Sequence, residues 1–229
     1  MRCSWSDGVP AGADPRQRRA RRWAGAALLL LGVGLLGWYG WQIWGTTWVA
    51  QREHAALRLA LEEAWSEGRD QVTVGDARAS AVVRIPRFGA DFAVPLLDGT
   101  SDDVLARGFG RYDGSAAPGG RGNLTVAGHR VTHGEPLRDL PDLQVGDQVV
   151  VETRSASYTY ALDTAGDALS VPFTETWVLD RAPVNPRDGG VGPRTGPGAR
   201  LLTLTTCAEL FHTDQRLVVF GHLVGSRER

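Results

Sequence analysis

The groups in this chain able to make or break bonds are few: Cys3 and Cys207, five histidines and 25 arginines, with no lysine at all. Without lysine, Schiff-base chemistry and lysine general-base catalysis are excluded. A thiol becomes a nucleophile when a neighbouring imidazole or cation favours its thiolate. His129 closes the apolar run NLTVAGH, Cys207 closes LLTLTTC and Arg216 opens RLVVFGHLV. If these runs are strands of one barrel, their ends on one rim converge. Thiol, imidazole and guanidinium would then meet, a combination that favours a reactive thiol over an inert one. The other imidazoles are His54, His133, His212 and His222, of which His54 falls in a helical stretch and is set aside. A zinc site is the rival use, with His129-x-x-x-His133 and Cys207 as ligands. Arg130 stands where a metalloprotease helix needs Glu, however, and Gly128 and Gly134 bracket a segment of strand character. Neither a metal nor a cofactor is expected.

The elements that position these residues begin with a membrane segment. Ala24 to Trp44 is 21 residues without a charge, about 31 Å as helix and enough to cross a bilayer. Arg16, Arg18, Arg19, Arg21 and Arg22 precede it and Trp38, Trp41, Trp44 and Trp48 gather at its far end, so the N-terminus is expected in the cytoplasm and the rest outside. The apolar stretch exceeds a signal-peptide core and lacks a small-x-small cleavage site, which favours an uncleaved anchor. Residues 1–22 hold six Arg against Asp7 and Asp14, so the rest of a chain of net charge -1 is mildly acidic and unsuited to nucleic acid. Gly32-x-Gly34-x-x-Gly37 formally matches a dinucleotide fingerprint but lies inside the apolar span with no strand before it. On this topology Cys3 and Cys207 lie on opposite sides and cannot pair. Cys207 is left as an unpaired thiol in an oxidising compartment, which needs a reason such as catalysis, burial, a metal or an intermolecular bridge.

Beyond the span, Leu57, Leu61 and Trp65 mark an amphipathic helix over 51–67, a stalk that Gly68 ends. After a polar linker to about Ser80 come eight short strand-like runs: AVVRIP from Ala81, DFAVPLL from Asp91, NLTVAGH from Asn123, QVVVET from Gln148, YTYALD from Tyr158, TETWVLD from Thr174, LLTLTTC from Leu201 and RLVVFGHLV from Arg216. A short helix is expected over Ser101 to Arg107. Asp180 to Arg200, rich in Gly and Pro, reads as a long loop just before LLTLTTC. Eight short strands imply an all-β barrel or sandwich. The expected organisation is a basic cytoplasmic tail (1–22), a transmembrane anchor (23–48), a stalk and linker (49–80) and an extracellular barrel (81–229).

GNLTVAGHR (Gly122 to Arg130), TLTTC (Thr203 to Cys207) and RLVVFG (Arg216 to Gly221) resemble the sortases, the cysteine transpeptidases of Gram-positive surfaces. The order His, Cys, Arg matches, and the likeness runs over roughly residues 80–225. With the N-terminal anchor, the TLTTC form looks most like the class E sortases of actinobacteria. The resemblance implies an eight-stranded closed β-barrel with short helices. It also implies that Cys207 attacks the Thr–Gly carbonyl of an LPxTG-like or LAxTG-like sorting signal, that His129 serves as acid and base, and that Arg216 positions substrate and stabilises the oxyanion. Thr206 is expected to line the substrate groove. His133 stands where class E members often have Tyr, a position linked to the choice between Pro and Ala in the signal. Ala208 and Glu209 replace the frequent C-x-P continuation. The implied partners are secreted proteins bearing a C-terminal sorting signal, and a cell-wall precursor peptide amine as acceptor. The implied location is a single-pass, type II position in the cell membrane. A pilus-polymerising sortase and a membrane-tethered binding barrel without catalysis are the alternatives. The loop before LLTLTTC offers only Asp180 and Asp188, too few for a calcium site of six to eight oxygens.

Overall fold

The computed structural model describes residues 15–41, 46–194, 196, 198–207 and 214–229. The chain divides into two compact units, residues 1–42 and 43–229. The first contains helix α1 (Pro15–Gly40), within which Trp23–Gly40 has a mean hydropathy of 1.5 and is long and apolar enough to cross a membrane. Leu28, Leu30 and Leu36 are each about 70% exposed, so α1 presents apolar side chains that the rest of its unit does not cover.

The second unit opens with α2 (Thr46–Ser66) and continues as a β-barrel. Its strands are β1 (Val72–Val74), β2 (Ala77–Arg84), β3 (Val94–Asp98), β4 (Phe109–Arg111), β5 (Gly122–Ala127), β6 (Gln148–Glu152), β7 (Ala156–Leu162), β8 (Ser170–Pro172), β9 (Arg200–Cys207) and β10 (Gln215–Glu228). Eight of them close a ring in the order β2-β3-β4-β5-β9-β10-β7-β6, with β6 pairing back to β2. β1 extends from β2 and β8 pairs with β10. The pairs β3–β4 and β5–β9 are parallel and the rest of the ring is antiparallel. Alternation sends Leu202 and Leu204 of β9, Leu124 and Val126 of β5 and Val219 of β10 into the interior, with Phe109, Tyr160 and Leu162.

The expected closed barrel of eight strands is therefore present, but one member differs. TETWVLD is not a strand; Thr176–Leu179 forms a single 3-10 turn. The run is apolar because Val178 and Trp177 pack on the outer face of β10 beside Val218 and Phe220, not because it joins the sheet. Its carbonyls are met by a side chain, Asn123 Nδ2, which donates to Val178 and Asp180 at 3.3 and 3.0 Å. A short apolar run of this kind cannot be told from a strand by periodicity. β4, only three residues long, takes its place in the ring. The short helix appears as α3 (Asp102–Leu105), and Gly68, at φ 82°, follows α2 as anticipated.

α2 does not stand free as a stalk. Ala50, His54, Leu57, Leu61 and Ala64 recur at helical spacing and all are buried. Leu57 and Leu61 pack on Ala79 and Val82 of β2, Leu97 of β3 and Val104 of α3. Leu61 is fully enclosed, so Leu61→Ala is expected to cost about 2–4 kcal/mol in urea unfolding of the full chain. A change below about 0.5 kcal/mol, the range of a solvent-facing substitution, would mean that α2 is an independent rod.

Candidate active site

β5 and β9 run side by side in parallel, with Thr125 opposite Thr203 and Ala127 opposite Thr205. The ladder carries on past the strand end, where Gly128 N donates to the Thr205 carbonyl at 3.2 Å. His129 lies two residues beyond Ala127 and Cys207 two beyond Thr205, so both come to the same rim. β10 returns antiparallel to β9 and its register sets Arg216 opposite Cys207. Three residues far apart in sequence thus reach one edge of the barrel because two strands end together and a third begins there.

Arg216 is 3% exposed. It shares the outer face of β10 with Val218 and Phe220, beneath the segment 173–180. Its Nη2 donates to the carbonyls of Phe173 and Glu175 at 3.0 and 2.9 Å, and the guanidinium lies 5.2 Å from the Phe173 ring centre. Its Nε has no hydrogen-bond partner among the described residues. The segment is held down from the other side by Asn123, 1% exposed, whose Oδ1 accepts from Thr203 Oγ1 at 2.9 Å. That burial also removes the Asn-Leu-Thr sequon at 123–125 as a glycosylation site.

His129 is half-buried and its Nε2 likewise lacks a partner among the described residues. Burial holds its pKa below the ordinary imidazole value, the His133 ring adds to this, and Asp102 of α3 opposes it. Burial and the neighbouring ring thus disfavour the charged imidazole. His133 packs against it with ring centres 5.0 Å apart. The structure therefore brings together His129 and His133, and places Cys207 and Arg216 in register on the same rim. Thr206 follows Leu202 and Leu204 on the inward face of β9, 4% exposed, while Thr203 takes the outer face toward segment 173–180. Oγ1 of Thr125, Thr205 and Thr206 are buried without partners among the described residues. Among the described residues no three His, Cys, Asp or Glu side chains stand close enough to hold a metal.

The sortase-domain family model matches residues 83–224. The chain belongs to the sortase family. Sortase SrtE1 of Streptomyces coelicolor is 35% identical over 93% of this chain, which spans 62% of that relative's length. The structure of sortase E from Streptomyces avermitilis is 39% identical, with a TM-score of 0.56, over 66% of this chain and 90% of that one. Sortase E1 of Streptomyces coelicolor, solved with a tripeptide in its active site, is 35% identical with a TM-score of 0.54, over 65% of this chain and 90% of that one. The structural likeness thus runs to class E sortases, and the barrel described above is the sortase fold.

Two contributors to this sortase's site escape the sequence motifs. Asp102 acts on His129 from a helix 27 residues earlier in the chain. His54, the residue that a stalk reading sets aside, is 5% exposed against the loop that carries His133. The helical spacing of His54 with Ala50, Leu57 and Leu61 was the available signal. Burial drives its pKa down to about 4; a backbone hydrogen bond to Ala106 works against the shift and His133 with it. The native pKa lies below the unfolded one, so the unfolded chain binds more protons between about pH 6.5 and pH 4. Stability is full above that window and falls as the pH drops through it, by an amount on the order of 3 kcal/mol. Urea unfolding at pH 7 and pH 4 should show this loss, and His54→Gln should remove most of it.

Proposed function

We propose that this chain is a membrane-anchored cysteine transpeptidase that cleaves an LAxTG-like or LPxTG-like sorting signal between Thr and Gly. It then transfers the acyl group to a cell-wall precursor amine. The observation that carries this reading is the common rim of β5, β9 and β10, where Cys207 and Arg216 are in register and His129 closes the parallel neighbour.

The Cys207 sulfur attacks the Thr carbonyl carbon and gives its proton to His129. The carbonyl electrons move to oxygen, where a guanidinium N–H of Arg216 stabilises the charge; such a donor is worth more once water is excluded. The tetrahedral centre collapses, the C–N bond breaks and His129 returns the proton to the departing glycine amine, leaving a thioester. The acceptor amine then attacks that thioester, His129 takes its proton, and the new amide forms as the sulfur leaves and is reprotonated. His133, against the His129 ring, adjoins the pocket for the second residue of the signal and bears on the choice between Ala and Pro there. Thr206, one residue before Cys207, lines the substrate groove. The basic residues at the start of α1, ahead of its apolar stretch, support a tail (1–22) in the cytoplasm and a barrel outside, a single-pass type II arrangement. The partners are secreted proteins with a C-terminal sorting signal.

Intact mass after incubation of the full chain in detergent with an LAETG or an LPETG peptide tests this. A mass gain matching the peptide acyl group on Cys207 supports the reading, and the ratio of the two adducts reports what His133 prefers. No adduct with either peptide, in protein whose Cys207 still reacts with iodoacetamide, would exclude these two signals. An unreactive Cys207 would point to a tethered binding barrel.

A further inference from the structure

The turn that follows His129 is strained. His133, Gly134 and Glu135 are all left-handed, at φ 53°, 81° and 50°. For the two residues with side chains this costs on the order of 1–3 kcal/mol each, and such a turn persists only when its surroundings impose it. Bonds within the loop, from Glu135 N to the Thr132 carbonyl and from Leu137 N to the His129 carbonyl, tie its ends at 3.1 and 3.0 Å.

The remaining support comes from α2. A β-carbon added at Gly134 would stand 2.8 Å from His54 Cε1 and 3.5 Å from Ala50 Cβ, so the helix lies directly against the turn. One step along the same face, Thr47 Oγ1 donates to Glu135 Oε1 at 3.3 Å. On the other side of the turn His133 meets His129. Helix, turn, His133 and His129 thus form one unbroken line of contacts. The imidazole at position 54 has a backbone hydrogen-bond partner at Ala106, while its Nε2 is enclosed without a partner among the described residues. Leu57, Leu61 and Ala64 already provide the apolar docking.

We propose that His54 is a positioning residue for the reaction: it wedges beneath Gly134 and holds the left-handed turn so that His133 fixes the His129 imidazole. This rests on the reading of His129 as the acid–base group. The charged and titratable groups facing this line are Glu135, with its partner Arg138, on the turn and Asp102 beside His129.

The test uses the full chain in detergent with His54→Ala, His54→Gln and Thr47→Val. Peptide cleavage kinetics are read together with the NMR titration of the His129 ring in histidine-labelled protein. His54→Ala should lower kcat about tenfold with KM within twofold, and should move the His129 titration upward toward the ordinary imidazole value. His54→Gln keeps length and an amide donor and should recover most of both. Thr47→Val should shift both in the same direction, by about threefold in kcat. Unchanged kcat and unchanged His129 titration in His54→Ala overturn the proposal, as does a loss of stability with neither readout moved. If His54→Ala does not fold, Thr47→Val decides, and wild-type behaviour there overturns it. Should no peptide turn over, the titration alone decides the positioning, while the catalytic reading of His129 fails separately.

Discussion

Cys207→Ala should leave no covalent adduct with any sorting peptide and should reduce turnover by on the order of 10⁴ or more, because the proposed acyl intermediate forms on its sulfur. The backbone at position 207 pairs with Arg216 whatever its side chain, so the thermal midpoint of the variant should stay close to that of the parent. Paired intact-mass and calorimetry measurements separate the two effects. Residual adduct in Cys207→Ala would transfer the nucleophile elsewhere, and a collapse of the fold would make Cys207 a structural residue.

If Arg216 is the oxyanion donor of the proposed mechanism, Arg216→Ala should lower kcat by about 10²–10³, the usual loss when one such donor is removed. It should also destabilise the protein, because the Phe173 and Glu175 carbonyls lose their donor. Both bonds are only partly buried and come from a charged donor, so their loss should cost about 1–2 kcal/mol. Arg216→Lys separates the roles. Its ammonium can replace one of the two carbonyl bonds, but it lacks the planar fork that leaves a further N–H for substrate. Stability should therefore recover in part while kcat stays within about tenfold of the Ala variant. Full activity in Arg216→Lys, measured by peptide cleavage, would show that charge alone suffices.

How far the sequence revealed this molecule depends on the kind of contact. Strand runs such as LLTLTTC and RLVVFGHLV were legible because both combine β-branched and aliphatic residues with clear boundaries, and they match β9 and β10 closely. β4 was not, since Phe-Gly-Arg is too short to show alternation. TETWVLD misled because an apolar plug on a sheet's outer face has the composition of a strand. The residues at the rim were legible from their motifs, but not what surrounds them. Nothing in the local sequence announces that His133 and Glu135 are left-handed. His54 is the instructive case: its place on the apolar face of α2 can be read from spacing, whereas the partner of that face cannot.

The parallel pairing of β5 with β9 has a consequence for how the molecule is made. Asn123 and Thr203, which hydrogen-bond across it, are 80 positions apart in the chain, and Cys207 and Arg216 enter after almost everything else has been synthesised. Pairings of such long range close large loops before they return any contact energy, and they form late and slowly. While the chain is emerging, position 207 therefore has neither the end of β5 nor Arg216 in place. On the proposed reading, the nucleophile acquires its partners only when the last strand, β10, has folded against both neighbours. Reactivity then becomes a property of the completed barrel, and a chain truncated before β10 carries a cysteine with no enzyme around it.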